Sequence, residues 1–262
     1  MERIDILWTG GFDSSYRLCQ LSLLPVEIQA YYIDAGKKSY SQEMKAMTDI
    51  VAHIQANPSK KCKLLPLVIV KLEDIAPDEQ IEDSYNRIRS ETILGSQYEW
   101  FARFAKQSGL ILEIGFETDS NSVFDEYYTS HLTCRQISRP LSEEEGILEY
   151  CEPDKERSTE DMMTLFGSFR FGLPLYEMTK LQTKESYKAI GYETVMSMTW
   201  FCAHPLMGKP CGMCNPCSTV MKAGMGFRLP FLARILYYLF KANRIGRYVD
   251  GKLKVIYNRN WR

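Results

Sequence analysis

The chain has 262 residues, 45% hydrophobic, 12% aromatic and 25% charged, enough to bury one substantial core within a single large domain. Its formal net charge of -1 gives no global signature of a polyanion-binding protein. No secretory leader pattern opens it and no stretch reaches the roughly 18 apolar residues of a membrane span, so a cytoplasmic protein with no membrane partner is expected.

Arg3 to Trp8 (RIDILW) reads as a strand running into the glycine turn Thr9-Gly10-Gly11, and Tyr16, Leu18, Leu21 and Leu24 mark the helix that follows from Ser14. A second strand is expected over Val26 to Ile33, a helix over Ser41 to Gln55, and a third strand over Leu64 to Val70. A polar loop then reaches about Ser84, a helix is expected over Glu91 to Gly109, and a fourth strand over Leu110 to Phe116 leads into the polar run Glu117 to Ser122. Ser142 to Asp161 holds nine acids against Lys155 and Arg157 and reads as an acidic surface insertion or lid. Order resumes at Phe171 to Pro174, with a helix over Thr183 to Ile190. Beyond the clustered cysteines come an apolar helix over Leu229 to Phe240 and a hairpin over Tyr248 to Tyr257 turning at Asp250-Gly251.

This β-α-β order predicts an α/β fold with a parallel, Rossmann-like sheet and helices on both faces. Its loops share one crevice at the carboxyl edge, where open α/β sheets bind ligands. The turn TGGFDSS, Thr9 to Ser15, sits between strand and helix. Two glycines let backbone approach a polyanion, and the hydroxyls of Thr9, Ser14 and Ser15 with the helix-start N–H groups can bind phosphate oxygens. It is neither a Walker A loop nor a dinucleotide fingerprint, since the Gly-Lys-Ser/Thr ending and the third glycine are missing. Asp13 would repel phosphate unless it holds magnesium or caps the helix.

Cys202, Cys211, Cys214 and Cys217 follow the spacing Cys-x8-Cys-x2-Cys-x2-Cys, half of the eight cysteines within sixteen positions. Gly212 and Pro216 turn the backbone so that four thiolates converge, a closed structural zinc site for which an iron–sulfur cluster is the alternative. His204 is read as a bystander. Cys19, Cys62, Cys134 and Cys151 are scattered and read as small buried apolar residues.

Together the two motifs resemble the PP-loop ATP pyrophosphatases (a HUP-type Rossmann-like fold), and within them the 7-cyano-7-deazaguanine synthase (QueC) family of queuosine biosynthesis. The family's Ser-Gly-Gly-x-Asp-Ser is similar to Thr9-Gly10-Gly11-Phe12-Asp13-Ser14, and its Asp-x-Gly-Gln segment to Asp34-Ala35-Gly36-Lys37 through Gln42-Glu43. Pro174-Leu175 through Thr179-Lys180, and Thr199-Trp200-Phe201-Cys202, match two further family stretches in order. The resemblance implies ATP with magnesium bound over Trp8, Thr9, Gly10, Gly11, Phe12, Asp13, Ser14, Ser15 and Leu18, with Asp34 and Arg89 beside the nucleotide. It implies catalytic roles for Asp13, Ser14 and Lys180, with Lys184 as the rival lysine. The implied reaction adenylates a carboxylate, releases pyrophosphate, and converts the acyl-adenylate with ammonia to an amide or nitrile.

One departure is clear: the family's Tyr-Pro-Asp-Cys-Arg substrate segment is replaced by Val123 to Tyr128 and, later, Thr133-Cys134-Arg135. This points to a diverged relative acting on a small-molecule or protein-borne carboxylate, and relatives of this class also occur beside anti-phage defence genes. From Gly226 onward nine Lys and Arg face Asp250, so the tail carries +8 and the remainder -9. That tail suggests self-association or a protein partner, with nucleic acid less favoured. The expected organisation is a nucleotide-binding domain over 1–198, a four-cysteine zinc module over 199–225 and a basic aromatic extension over 226–262. Two other readings stand beside the ligase: a PP-loop tRNA-modifying enzyme, and a nucleotide-binding scaffold without catalysis.

Overall fold

The computed structural model describes residues 1–116, 123–142 and 146–242. Strand β1 (Glu2–Leu7) leads through the glycine turn into α1 (Phe12–Ser22), and β2 (Val26–Asp34) into α2 (Tyr40–Ala56). The expected third strand is two short ones, β3 (Lys63–Leu64) and β4 (Val68–Lys71), both parallel to β2. Pro66 lies between them and has no N–H for a ladder; its carbonyl instead accepts from Gln29 Nε2 at 2.8 Å.

The single helix expected over Glu91 to Gly109, and the polar loop before it, are corrected to two helices, α3 (Glu79–Glu91) and α4 (Gln97–Ser108). Asp78 caps α3 by accepting from the Ile81 N–H at 3.1 Å, and Ile81, Tyr85 and Ile88 bury one face at helical spacing. Helix α4 ends at Gly109 with φ +67, a left-handed stop that favours glycine. Strand β5 (Leu112–Ile114) follows, then α5 (Val123–His131).

The largest departure from expectation is the segment read as an acidic insertion. Gly146–Pro153 is strand β7, paired antiparallel with β6 (Cys134–Ser142) and with β8 (Phe169–Gly172), while Thr159 caps α6 (Glu160–Phe166). Leu148 and Tyr150 are buried at alternate positions while Ile147 and Glu149 stay exposed, the period of a half-buried strand. The sheet order is β3-β2-β1-β5-β8-β7-β6, with β4 also on β2. Strands β1 to β5 and β8 run parallel; β6 and β7 make the sheet mixed rather than wholly parallel.

Helices flank this sheet. Tyr31, Ile33, Leu112, Ile114, Phe169 and Phe171 share a core cluster with Ile81, Tyr85 and Ile88 of α3, Phe104 of α4 and Phe166 of α6. The alternating residues Val26, Ile28, Ala30 and Tyr32 of β2 are buried as well, so β2 is covered on both faces. α7 (Lys180–Ala189) and α8 (Glu193–Met198) pack with α1.

The chain divides into two compact units, one of 1–35 with 46–199, the other of 36–45 with the chain from Trp200 onward. The cysteine module and the helix after it fall in one of these units, which also takes in 36–45. That unit holds α9 (Asn215–Lys222) and α10 (Phe231–Tyr237), the latter continuing as a π-helical turn, Tyr238–Ala242. The hairpin expected over Tyr248 to Tyr257 lies outside the described residues.

Candidate functional site

The order of the parallel strands reverses between β1 and β5, and the crevice outside their carboxyl ends is where the glycine turn lies. Three features build the turn. Gly10 has φ +67, a conformation costly for any residue with a Cβ. Gly115, just past β5, approaches so closely that a Cβ there would fall on the backbone of Asp13 and Ser14. Gly11 is the N-cap of α1 and, as a glycine, supplies no side-chain acceptor to the N–H groups of the first turn. Such an end offers donors and a positive dipole to an anion.

Asp13 stands in that first turn, and it is not the cap. Both of its carboxylate oxygens accept from Lys180 Nζ, each at 2.6 Å, across 167 positions of sequence. The two side chains are 26% and 18% exposed, so the pair faces the solvent without being fully hydrated. The lysine is aimed by its helix. Thr179 and Gln182 form a capping box at the start of α7, with the Thr179 N–H on Gln182 Oε1 at 2.8 Å and the Gln182 N–H on Thr179 Oγ1 at 3.4 Å. Two turns on, the fully buried Tyr187 donates its hydroxyl to the Phe12 carbonyl at 2.6 Å and packs on the rings of Phe12 and Tyr16. One helix therefore grips the loop twice and presents an ammonium to it.

The other sequence-derived residues separate by role. Trp8 donates its indole N–H to Ser15 Oγ at 2.9 Å; both are buried, as is Leu18, so their side chains build the loop's foundation. Ser14 is 9% exposed and sits against Gly115. Asp34 ends β2, opposite Lys71 of β4. Arg89 is exposed on the last turn of α3, its guanidinium over the Tyr85 ring of its own helix. Lys184 is half-buried one turn after Lys180, and the lysine that meets Asp13 is Lys180.

Sequence reasoning missed the buried anchor of α1. Arg17, 2% exposed, pairs with the 1% exposed Glu113 of β5 and donates to the carbonyls of Glu149 at 2.9 Å and Leu173 at 2.8 Å. A Cβ at Gly172 would fall on its guanidinium. This one side chain ties the helix behind the glycine turn to β5, to β7 and to the end of β8. A lone arginine among Tyr16, Leu18 and Leu21 was the available signal.

In the second unit, the ligand atoms of Cys202, Cys211, Cys214 and Cys217 all lie within 4.8 Å of one another, and every one of these residues is buried. Two sulfur pairs stand 3.9 Å and 3.8 Å apart. A tetrahedral ion with metal–sulfur bonds of about 2.3 Å sets sulfur–sulfur edges of about 3.8 Å, so the set fits such an ion. The Cys211 N–H points at Cys202 Sγ (3.2 Å), and the N–H groups of Met213 and Cys214 point at Cys211 Sγ (3.3 Å each). Cys214 is the N-cap of α9 and Cys217 lies in its first turn, where the helix dipole favours thiolate. Gly212 has φ +76, and a Cβ there would fall on the Ala233 backbone. Four thiolates this close repel one another. Hydrogen bonds from Cys202 and Cys217 hold Cys214 well below the usual thiol range, and the bond to Cys214 pushes Cys202 up to about 12; a divalent cation removes that conflict. His204 is exposed and not part of the cluster. Cys19, Cys62 and Cys151 are buried as read from sequence, while Cys134 is half-buried.

No protein-family model matches the chain, and no curated protein matches it. Among solved structures the chain is similar to a 4-thiouridine synthetase in complex with RNA and bound ATP, at 14% identity and a TM-score of 0.40, over 87% of this chain and 50% of that one. The chain spans about half the length of that structure.

Proposed function

We propose that the chain is an ATP-dependent, adenylate-forming ligase of the QueC-like PP-loop class, which activates a carboxylate and passes the acyl group to ammonia. The observation that carries this reading is Lys180 Nζ at 2.6 Å from both oxygens of Asp13, at a helix N-terminus whose N-cap is Gly11. Such a site offers backbone donors and an ammonium to phosphate, and a carboxylate for the cation that accompanies it. The four ordered sequence matches to the family support the same reading, and the four-sulfur cluster supports a structural zinc.

In this account the first-turn N–H groups, the Ser14 hydroxyl and Lys180 hold the triphosphate, and Asp13 would hold magnesium, whose charge offsets that of the phosphates. A substrate carboxylate oxygen attacks the α-phosphorus, the bond to the bridging oxygen breaks and pyrophosphate leaves. Ammonia then attacks the acyl carbon, AMP leaves with the electron pair, and a proton passes to solvent, giving an amide. A second adenylation, on the amide oxygen, followed by loss of AMP and protons gives a nitrile. Lys180, held at Asp13, would be placed to offset charge developing on the departing phosphate. A zinc held by Cys202, Cys211, Cys214 and Cys217 would stay outside the chemistry, since four sulfurs leave no open position.

Quantifying nucleotide products with 7-carboxy-7-deazaguanine, and then a panel of other carboxylates, in the presence of ammonium tests the proposal. AMP and pyrophosphate formed only with a carboxylate support it. ADP and phosphate under all conditions would sink it.

A further inference from the structure

The second unit carries a surface that the proposed chemistry does not use. Along α10 and its π-helical turn, Phe231, Leu232, Ile235, Tyr238 and Leu239 are 73%, 66%, 38%, 58% and 54% exposed. Their spacing, i, i+1, i+4, i+7 and i+8, places all five on one stripe of the helix. Arg234 and Lys241, seven positions apart, line one border of that stripe. The opposite side is fixed to the cysteine module. Ala233 is 3% exposed, its backbone lies where a Cβ on Gly212 would fall, and Arg228 stacks over the Phe201 ring at 4.8 Å. The helix is thus anchored by one face and turns five large apolar side chains outward, far more than scattered surface residues account for.

We propose that this stripe docks the protein onto an anionic lipid surface. The charge of the region selects the occupant. Arg234 and Lys241 border the stripe and Arg228 precedes it, with no acid among the described residues from Gly226 onward, so two stripes meeting face to face would bring like charges together, which opposes a second copy. The chain beyond Ala242 is itself basic, with six Lys and Arg against Asp250, and is a poor cover for a surface bordered by cations. A nucleic acid would satisfy the cations but has no hydrocarbon to bury Leu232 and Leu239. An anionic bilayer offers both: hydrocarbon beneath the headgroups for the aliphatic side chains, an interface for Phe231 and Tyr238, and negative charge for the border. Among the described residues no helix is long and apolar enough to cross a membrane, and lying on one requires none.

Co-sedimentation of the zinc-loaded full chain with large vesicles tests this. Binding is expected to phosphatidylcholine containing about 30% phosphatidylserine and not to phosphatidylcholine alone, and it should weaken as salt rises. The double variant L232E/L239E should lower the bound fraction about tenfold or more, with zinc content and circular dichroism unchanged. Should that variant fail to fold, R234E/K241E keeps the stripe and should abolish the preference for anionic vesicles. Equal binding to both vesicles, or to neither, overturns the proposal. So does a lipid-free dimer that L232E/L239E dissolves, which would assign the stripe to a second copy.

Discussion

Replacing Lys180 by Met separates a functional lysine from a structural one. In the ground state Lys180 holds both oxygens of Asp13 at 2.6 Å, but the side chains remain 18% and 26% exposed. Solvent screening at that exposure limits the pair to about 0.2–1 kcal/mol of stability. For a chain of this size that is a fall in Tm of no more than about 4 °C. If the ammonium also meets charge developing on the phosphate, removing it takes away about 2.7–4 kcal/mol of transition-state stabilisation, roughly 10²–10³-fold in rate. Calorimetry and carboxylate-dependent AMP release on the same preparation give the two numbers. Lys180→Arg should recover part of the rate, and Lys184→Met should stay within a few-fold of the parent. A rate loss under about threefold, or a Tm fall beyond about 10 °C, would show that the pair is a structural latch and refute the reasoning.

Three further outcomes follow from buried contacts. Glu113→Gln leaves the Arg17 charge uncompensated at 2% exposure and should cost about 3–5 kcal/mol, read as a lowered denaturation midpoint; a loss under about 1 kcal/mol would mean that the carbonyls of Glu149 and Leu173 suffice. Gly115→Ala drives a Cβ into the Ser14 backbone and should weaken nucleotide binding more than it weakens the fold, measured by titration calorimetry beside thermal melting; unchanged ATP affinity would contradict the close approach. Cys214→Ser should reduce bound zinc below one per chain by elemental analysis and unfold the second unit before the first in limited proteolysis, whereas iron in the parent protein would overturn the zinc reading.

The half of the fold around the site was legible because its signals are local. A strand, a two-glycine turn and an apolar helix follow one another from Arg3 to Leu21, and the parallel pairing of β1 with β2 follows from that order. The cysteine set was legible for the same reason, since spacing alone brings the Cys211, Cys214 and Cys217 sulfurs together. What escaped had polar composition masking period. Helix α3 was hidden by its acids, although Asp78 as cap and Ile81, Tyr85 and Ile88 at helical spacing carried its signature. Strand β7 was hidden in the same way, with Leu148 and Tyr150 alternating among glutamates. Long-range partners were legible only in part: the family resemblance named Lys180 for the same site as Asp13, though nothing near Asp13 announces it, and nothing near Arg17 announces Glu113. Those pairings are decided by the sheet order, which places β5 beside β1 and α7 against α1.

The central claim is that this loop cleaves ATP between its α- and β-phosphates on behalf of a carboxylate. Chromatographic separation of nucleotides after incubating the zinc-loaded protein with magnesium-ATP, ammonium and 7-carboxy-7-deazaguanine or another carboxylate tests it most directly. AMP and pyrophosphate are expected in equal amounts, formed with a carboxylate present and lost in Lys180→Met. ATP bound without any AMP across the whole panel, or ADP as the product, would contradict it.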